Sequence, residues 1–283
     1  MPTSIAVIGQ GHMGAAIARS LLAAGHAVTV WNRSPARCAP QQALGAQVAT
    51  SASAAIAAAE LVITITSRCA DLHPVFETAD ATGKDVVNLV TASPGETLAL
   101  QELVQRCGGR FLAGTIQCFP GDIGQPEALL LFGGDAALWQ RREGVLRVLG
   151  GASMHMGEAA AAPNVVDTAI TSGFVFGTEA VFLEAAAYAT RAGLDIQTFG
   201  HLADQALTVL RGLLQQHVAA IAAGDFRHHG APVHNYLSAQ AVFAKAYAEA
   251  GVSDLLRQAM ATRMQRAVDA GDGDKALTAL YLH

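Results

Sequence analysis

Ile5-Ala6-Val7-Ile8-Gly9-Gln10-Gly11-His12-Met13-Gly14 is an apolar strand that runs into Gly-x-Gly-x-x-Gly at the head of an Ala- and Leu-rich stretch. Strand, glycine turn and helix in that order let backbone N–H groups and a helix N-terminus meet a pyrophosphate. The helix is expected from about His12 to Ala24, with Gly25 as its stop. A second strand follows, Val28-Thr29-Val30-Trp31-Asn32-Arg33-Ser34. An Asp or Glu at such a tip takes the ribose hydroxyls and repels a 2′-phosphate; here Asn32 is neutral and is followed by a guanidinium and a hydroxyl. Arg33 can pair with a phosphate dianion bidentately or stack on an adenine, and Arg37 adds a second cation one turn on. The expected cofactor is NADPH, met by Gly9, Gly11, His12, Met13, Gly14, Asn32, Arg33, Ser34 and Arg37.

Outward from this start the pattern keeps alternating. Ser34 and Pro35 open a helix that Pro40 interrupts. Ala46 to Ala49 reads as a short strand, Ser51 to Ala59 as a short helix, and Leu61 to Thr66 as a buried strand. Asp71 to Ala79 is helix-compatible, and Val86 to Val90 is the next strand. Thr66 and Thr91, at the ends of these two strands, join the expected cofactor contacts, since ligands sit at the carboxyl ends of parallel strands. Ser93-Pro94-Gly95-Glu96 is a capping box, and its helix runs to about Gly108-Gly109. Strands at Arg110 to Ile116 and Ala128 to Phe132, a helix from Asp135 to Leu149 and a strand near Ser153 to Met156 complete a doubly wound α/β, Rossmann-type domain with a mostly parallel sheet over residues 1–157.

Past Gly157 the strand pattern stops. Ala159 to Ala192 is almost continuously helix-compatible, about 50 Å of helix if unbroken at ~1.5 Å per residue. An interdomain helix over 158–192 and an all-helical domain over 193–283 are therefore expected. A helix this long and apolar outruns what its own small domain can cover, so a second chain should cover it, which implies a homodimer.

Composition narrows the class. The 283 residues are 52% hydrophobic with a net charge of −5, enough for large cores and without a basic block that would suit nucleic acid. The opening Met1-Pro2-Thr3-Ser4 carries neither a basic stretch nor an apolar core, so no secretion signal is expected. The apolar stretches are Ala-rich and interrupted by charges such as Glu60 and Glu179, and no membrane span is expected. Cys38, Cys69, Cys107 and Cys118 are widely spaced, which suits reduced thiols in a cytoplasmic protein. The adjacent pair His228-His229 is a poor metal site because neighbouring side chains rarely face one ion, and no metal is expected.

The chemistry should sit where charge is scarce. Between Glu158 and Glu179 the one charged residue is Asp167, in Asn164-Val165-Val166-Asp167-Thr168-Ala169-Ile170. A carboxylate in apolar surroundings costs several kcal/mol unless it has a partner, such as Thr171 or Asn164, or a task. Phe111 to Gln140 and Val148 to Thr190 contain no Lys or Arg. Those stretches should line the cleft beside the nicotinamide, and a hydroxyacid would find no cationic anchor there. A cleft with one carboxylate and no cation suits a neutral or positively charged substrate, such as an imine or iminium ion.

These residues carry a family resemblance over essentially the whole length. The chain resembles the β-hydroxyacid dehydrogenase superfamily and, within it, the NADPH-dependent imine reductases and reductive aminases. The matches are Gly9-x-Gly11-x-Met13-Gly14, Trp31-Asn32-Arg33-Ser34, Val87-Asn88-Leu89, and Ala113-Gly114-Thr115-Ile116 through Phe119-Pro120 to Ile123-Gly124. The hydroxyacid enzymes have Asp-Ala-Pro-Val-Ser-Gly-Gly in place of that last run, and a helix lysine that this chain lacks. Imine reductases commonly place Asp or Tyr ten residues beyond the Gly-Glu that ends the Rossmann domain, and counting from Gly157-Glu158 reaches Asp167. The resemblance thus implies that Asp167 is catalytic, either protonating the imine or stabilising an iminium electrostatically. Pro163-Asn164 replaces bulkier apolar residues of many relatives, and Thr91 stands where some reductive aminases have Asn. The resemblance also implies a domain-swapped homodimer with shared active sites, for which Phe119, Leu207, Leu210, Tyr236, Gln240 and Phe243 are substrate-pocket candidates.

The function expected is NADPH-dependent reduction of imines or iminium ions to amines, including amines formed from a ketone and an amine. The alternatives are a β-hydroxyacid dehydrogenase or aldehyde-acid reductase, and a dinucleotide-binding protein without turnover.

Overall fold

The computed structural model describes residues 2–227 and 231–283. Its contacts divide the chain after Phe174 into two compact units.

The first unit is built on strands β1 (Ser4–Ile8), β2 (Ala27–Trp31), β3 (Gln47–Val48), β4 (Leu61–Thr64), β5 (Asp85–Asn88), β6 (Arg110–Ile116), β7 (Leu130–Gly134) and β8 (Met154–His155). Among the described residues they form one eight-stranded sheet in the order β3-β2-β1-β4-β5-β6-β7-β8. Every pairing is parallel except β6 with β7. The order reverses between β1 and β4, and a crevice opens at such a switch point outside the carboxyl ends of the strands.

Helices cover both faces, which is why the central strands read as unbroken apolar runs. Ile5 and Val7 of β1 point to one face, where they pack with Ile17 and Leu21 of α1 (His12–Ala23). Ala6 and Ile8 point to the other, with Ala55 and Ile56 of α3 (Ala52–Ala57). The helix expected after Ser34 is split by its prolines, into a 3-10 turn at Pro35–Cys38 and α2 (Ala39–Ala43). Pro40 falls in the first turn of α2, where a missing N–H leaves no bond unmade. Asp71 to Ala79 likewise divides into a 3-10 turn at Cys69–Leu72 and α4 (His73–Thr78). The Ser93 capping box forms with both of its bonds at the head of α5 (Pro94–Arg106). At the amino end of β5, away from the crevice at the carboxyl ends, Asp85 is fully buried and accepts from Arg110 Nε at 2.5 Å and Arg142 Nε at 2.6 Å. Helix α6 (Ala136–Leu146) ends three residues short of the expected Leu149.

The long helix departs from expectation in kind. It starts at α7 (Ala162–Val166), with Pro163 in its first turn, passes into a π-helical segment at Asp167–Phe176, and continues as α8 (Gly177–Arg191). π-Helical turns are rare and concentrate at functional sites. This one begins at the carboxylate singled out above.

The second unit holds α8, α9 (Ile196–Ala223), α10 (Val233–Ala250) and α11 (Leu255–Asp269), with a 3-10 turn at Leu277–Leu282. Its own core is small: Val233, Met264 and Ala267, with Leu237, Val268, Leu277 and Leu280 against them. The 28-residue α9 buries no residue, and Leu207, Val209, Leu213 and Val218 are all exposed.

Candidate functional site

A cavity of about 570 Å³ opens at the β1–β4 switch point, lined by Gly9, Gly11, His12, Met13, Gly14, Trp31, Asn32, Arg33, Ser34, Arg37, Thr66 and Asp71 among others. The glycines build it in three ways. Gly9 has φ +107°, and a Cβ there would lie 2.3 Å from the Ile65 carbonyl oxygen. A Cβ on Gly14 would lie 2.0 Å from the Gly9 carbonyl, so α1 can cross the turn only without a side chain. Gly11 has nothing within 4 Å of that position: its bare face is the open one, where a pyrophosphate can approach backbone and helix N-terminus together. The residues present therefore fit a dinucleotide.

At the β2 tip, Asn32 works on the protein itself. Its Oδ1 accepts from the Gln10 N–H at 2.9 Å and its Nδ2 donates to the Ser34 carbonyl at 3.1 Å, tying the glycine turn to the strand end. The cations near this tip, Arg33 and Arg37, are both exposed on the cavity wall. A carboxylate, Asp71, lines the same cavity. Arg68 Nη2 donates to Asp71 at 2.8 Å, and this bond, helped by the nearby Arg33 charge, holds the Asp71 carboxyl below its ordinary range. Asp71 was not among the residues singled out from sequence; the 3-10 turn after β4 brings it to the cavity. Thr91 is exposed beyond β5 and does not line this cavity.

Asp167 forms a separate cluster within the same unit. Its Oδ1 accepts from Gln117 Nε2 at 3.2 Å. The Gln117 Oε1 accepts from the Thr171 hydroxyl at 2.9 Å, and its Nε2 reaches Thr115 Oγ1 at 3.4 Å. Thr171 thus serves Asp167 through Gln117 rather than directly. Asn164, the other partner considered, is buried elsewhere: it accepts from Thr97 Oγ1 at 2.9 Å and donates to the Ala92 carbonyl at 3.1 Å, joining α7 to α5. Among the described residues, the side chain bonded to the Asp167 carboxylate is the neutral Gln117 amide.

The substrate-pocket candidates differ in exposure. Phe119 is 73% exposed, and Leu207, Tyr236 and Phe243 are exposed on helices of the second unit, with Leu210 half-buried. Gln240 is different, being only 7% exposed. Arg257 Nη1 donates to its carbonyl at 3.1 Å and its Oε1 at 3.3 Å, which ties α10 to α11.

His228 and His229 lie outside the described residues, among which no cluster of three or more His, Cys, Asp or Glu side chains is placed to hold a metal. All four cysteines are free, and burial pushes the Cys38, Cys69 and Cys118 thiols up.

Comparison with known proteins agrees with this geometry. Residues 4–157 match the family model for the NAD binding domain of 6-phosphogluconate dehydrogenase, and residues 160–283 match the NADPH-dependent reductive aminase-like C-terminal domain. An NADPH-dependent reductive aminase of Aspergillus oryzae is 30% identical over 99% of this chain and 96% of its own length. The solved structure of an imine reductase from Pseudomonas sp. superposes with a TM-score of 0.93 at 30% identity, covering 100% of both chains. A reductive aminase from Aspergillus terreus, solved with NADPH4, cyclohexanone and allyl amine, gives 0.92 at 30% identity over 100% of both chains. From the glycine turn to the C-terminal helices, the chain belongs to the NADPH-dependent imine reductase and reductive aminase family.

Proposed function

We propose that this protein reduces imines and iminium ions to amines with NADPH, including those formed from a ketone and an amine. The residues lining the β1–α1 cavity would hold NADPH, which when bound would supply the hydride for the reduction. The chain supplies the rest. Gly11 and the first turn of α1 receive the pyrophosphate, and Arg33 and Arg37 the 2′-phosphate.

The observation that carries the substrate class is the Asp167 carboxylate, whose bonded partners are the neutral side chains Gln117 and, through it, Thr171. Among the described residues no cation pairs with it, so its negative charge would attract an iminium and repel the carboxylate of a hydroxyacid. Near an imine nitrogen the same group can hold or pass a proton. A hydroxyacid enzyme of this superfamily would need the helix lysine that is absent between Val148 and Thr190. An NADPH-oxidation screen with 1-pyrroline-type and dihydroisoquinoline-type imines, ketone and amine pairs, and an aldehyde-acid tests the reading. Consumption is expected with the imines. Turnover of the aldehyde-acid alone favours the hydroxyacid alternative, and binding of NADPH without any oxidation favours a non-catalytic protein.

The working unit in this proposal is a cytoplasmic, domain-swapped homodimer whose active sites draw on both subunits. Support comes from the bare apolar faces of α8 and α9. Ala162–Arg191 is also long and apolar enough to cross a membrane. Glu179 stands near its middle, however, and an acidic side chain at a bilayer centre costs about 2.5–3.5 kcal/mol on the scale set by Asp, so a second copy covers this helix better than lipid does.

A further inference from the structure

We propose that Gln117 is a positioning residue for Asp167, with its carboxamide held between the Thr171 hydroxyl and the Asp167 carboxylate. The inference rests on the reading of Asp167 as the catalytic carboxylate. It begins with the two unlike ends of a carboxamide: Oε1 only accepts, Nε2 only donates, and turning the amide over exchanges them. Gln117 directly follows β6, and its side chain reaches two residues one helical turn apart on the π-helical segment. Thr171 donates to Oε1 at 2.9 Å, which leaves Nε2 facing Asp167 Oδ1 at 3.2 Å. A second acceptor, the buried Thr115 hydroxyl, lies 3.4 Å from the same nitrogen. Donation therefore runs from Thr171 through Gln117 to Asp167.

That direction suits a carboxylate, which can only accept. It also sets where the charge lies, because one oxygen of Asp167 is tied to the sheet through Gln117. With a leucine at 117 the carboxylate would keep its charge and lose its fixed orientation. With a glutamate there, two carboxylates would face each other at hydrogen-bond distance, and they would have to share a proton. Thr171 acts one step further out: a valine there removes the donor to Oε1, so the amide keeps its bond to the carboxylate and loses the one that braces it from the other end.

The test is a double-mutant cycle on imine reduction, read alongside binding. Gln117→Leu should lower kcat about 10- to 100-fold, the range for a lost hydrogen bond to a charged group, and Thr171→Val should lower it less. In an Asp167→Asn background, Gln117→Leu should have no further effect within about twofold, because a positioning residue has nothing left to position. Gln117→Glu should move the acid limb of the pH–rate profile upward, as a second carboxylate near Asp167 requires. A readout without turnover is the affinity of the NADP⁺-loaded protein for a cyclic ammonium product by titration calorimetry. It should weaken in Gln117→Leu while NADP⁺ affinity is unchanged. If Asp167→Asn is fully active, the functional reading fails and takes this inference with it. If Asp167→Asn is impaired but the losses from the two sites multiply, or neither Gln117→Leu nor Thr171→Val changes kcat or ammonium affinity, the functional reading stands and Gln117 has no positioning role.

Discussion

Replacing Arg33 by Ala separates recognition of the 2′-phosphate from recognition of the rest of the dinucleotide. Arg33 is exposed on the cavity wall beside Ser34 and Arg37, so it contributes as an accessible, charge-assisted contact and not as a buried ion pair. Losing one hydrogen bond to a charged partner costs about 1.5–3 kcal/mol, roughly 10- to 150-fold in the Kd for NADPH. NADH has no 2′-phosphate and should lose only stacking on its adenine, under about 1 kcal/mol or fivefold. Asp71 sharpens the contrast. It lies on the same wall, and its charge is matched at 2.8 Å by Arg68, so Arg68→Ala should expose that carboxylate to the phosphate and weaken NADPH selectively. Adding Asp71→Asn should restore the affinity. Fluorescence titrations of NADPH and NADH at low and high salt measure all of this, and the selectivity should shrink as salt screens the exposed charges. Equal loss of both dinucleotides in Arg33→Ala would refute the assignment of Arg33 to the phosphate.

Three further outcomes follow from the geometry. Gly11→Ala should leave the melting temperature unchanged, since a Cβ there meets nothing within 4 Å, yet weaken both dinucleotides about tenfold or more; parent affinity would mean the pyrophosphate does not pass over Gly11. Sedimentation at micromolar concentration should show one dimeric species, and Val218→Glu, at a side chain 68% exposed on α9, should shift it toward monomer; a dimer untouched by that charge would put the contact elsewhere. Acid should destabilise the helical unit through Asp254, whose carboxyl is held below its ordinary value of 3.8 first by its bond from Arg257. That stabilisation is complete above pH 3.8 and is lost as pH falls through the depressed value, so Asp254→Asn should flatten the decline in melting temperature below pH 4.

Most of the fold was legible because its signals are local. A glycine turn between a strand and a helix, a capping box at Ser93, and apolar runs buried on two faces each act within a few residues. Prolines at 35 and 40 marked a broken helix without saying how the pieces would be arranged. The π-helical segment at Asp167–Phe176 was not legible, because residue composition carries no mark of a bond shifted from i+4 to i+5. Gln117 was missed for a different reason. It meets Asp167 across a separation of 50 residues, and only the packing of α7 against β6 and β7 makes them neighbours. Asp71 belongs to the same class, its place on the cavity wall being fixed by the turn after β4. The bonds from Arg257 to Gln240 likewise join residues 17 apart in sequence and carry no local mark.

In the proposed function the Asp167 carboxylate carries the chemistry of imine reduction. Asp167→Asn keeps the side chain's size and one acceptor for Gln117, and removes the charge and the carboxylic proton together. Steady-state turnover of a neutral cyclic imine and of a permanently charged N-alkyl iminium, with NADPH binding checked by titration, is the direct measurement. The account predicts a folded variant that binds NADPH like the parent and reduces the neutral imine about 10²-fold more slowly or worse. A matching loss on the charged iminium identifies electrostatic stabilisation, and an unimpaired rate there identifies proton donation. Parent rates on both substrates would contradict the account and make Asp167 a structural residue.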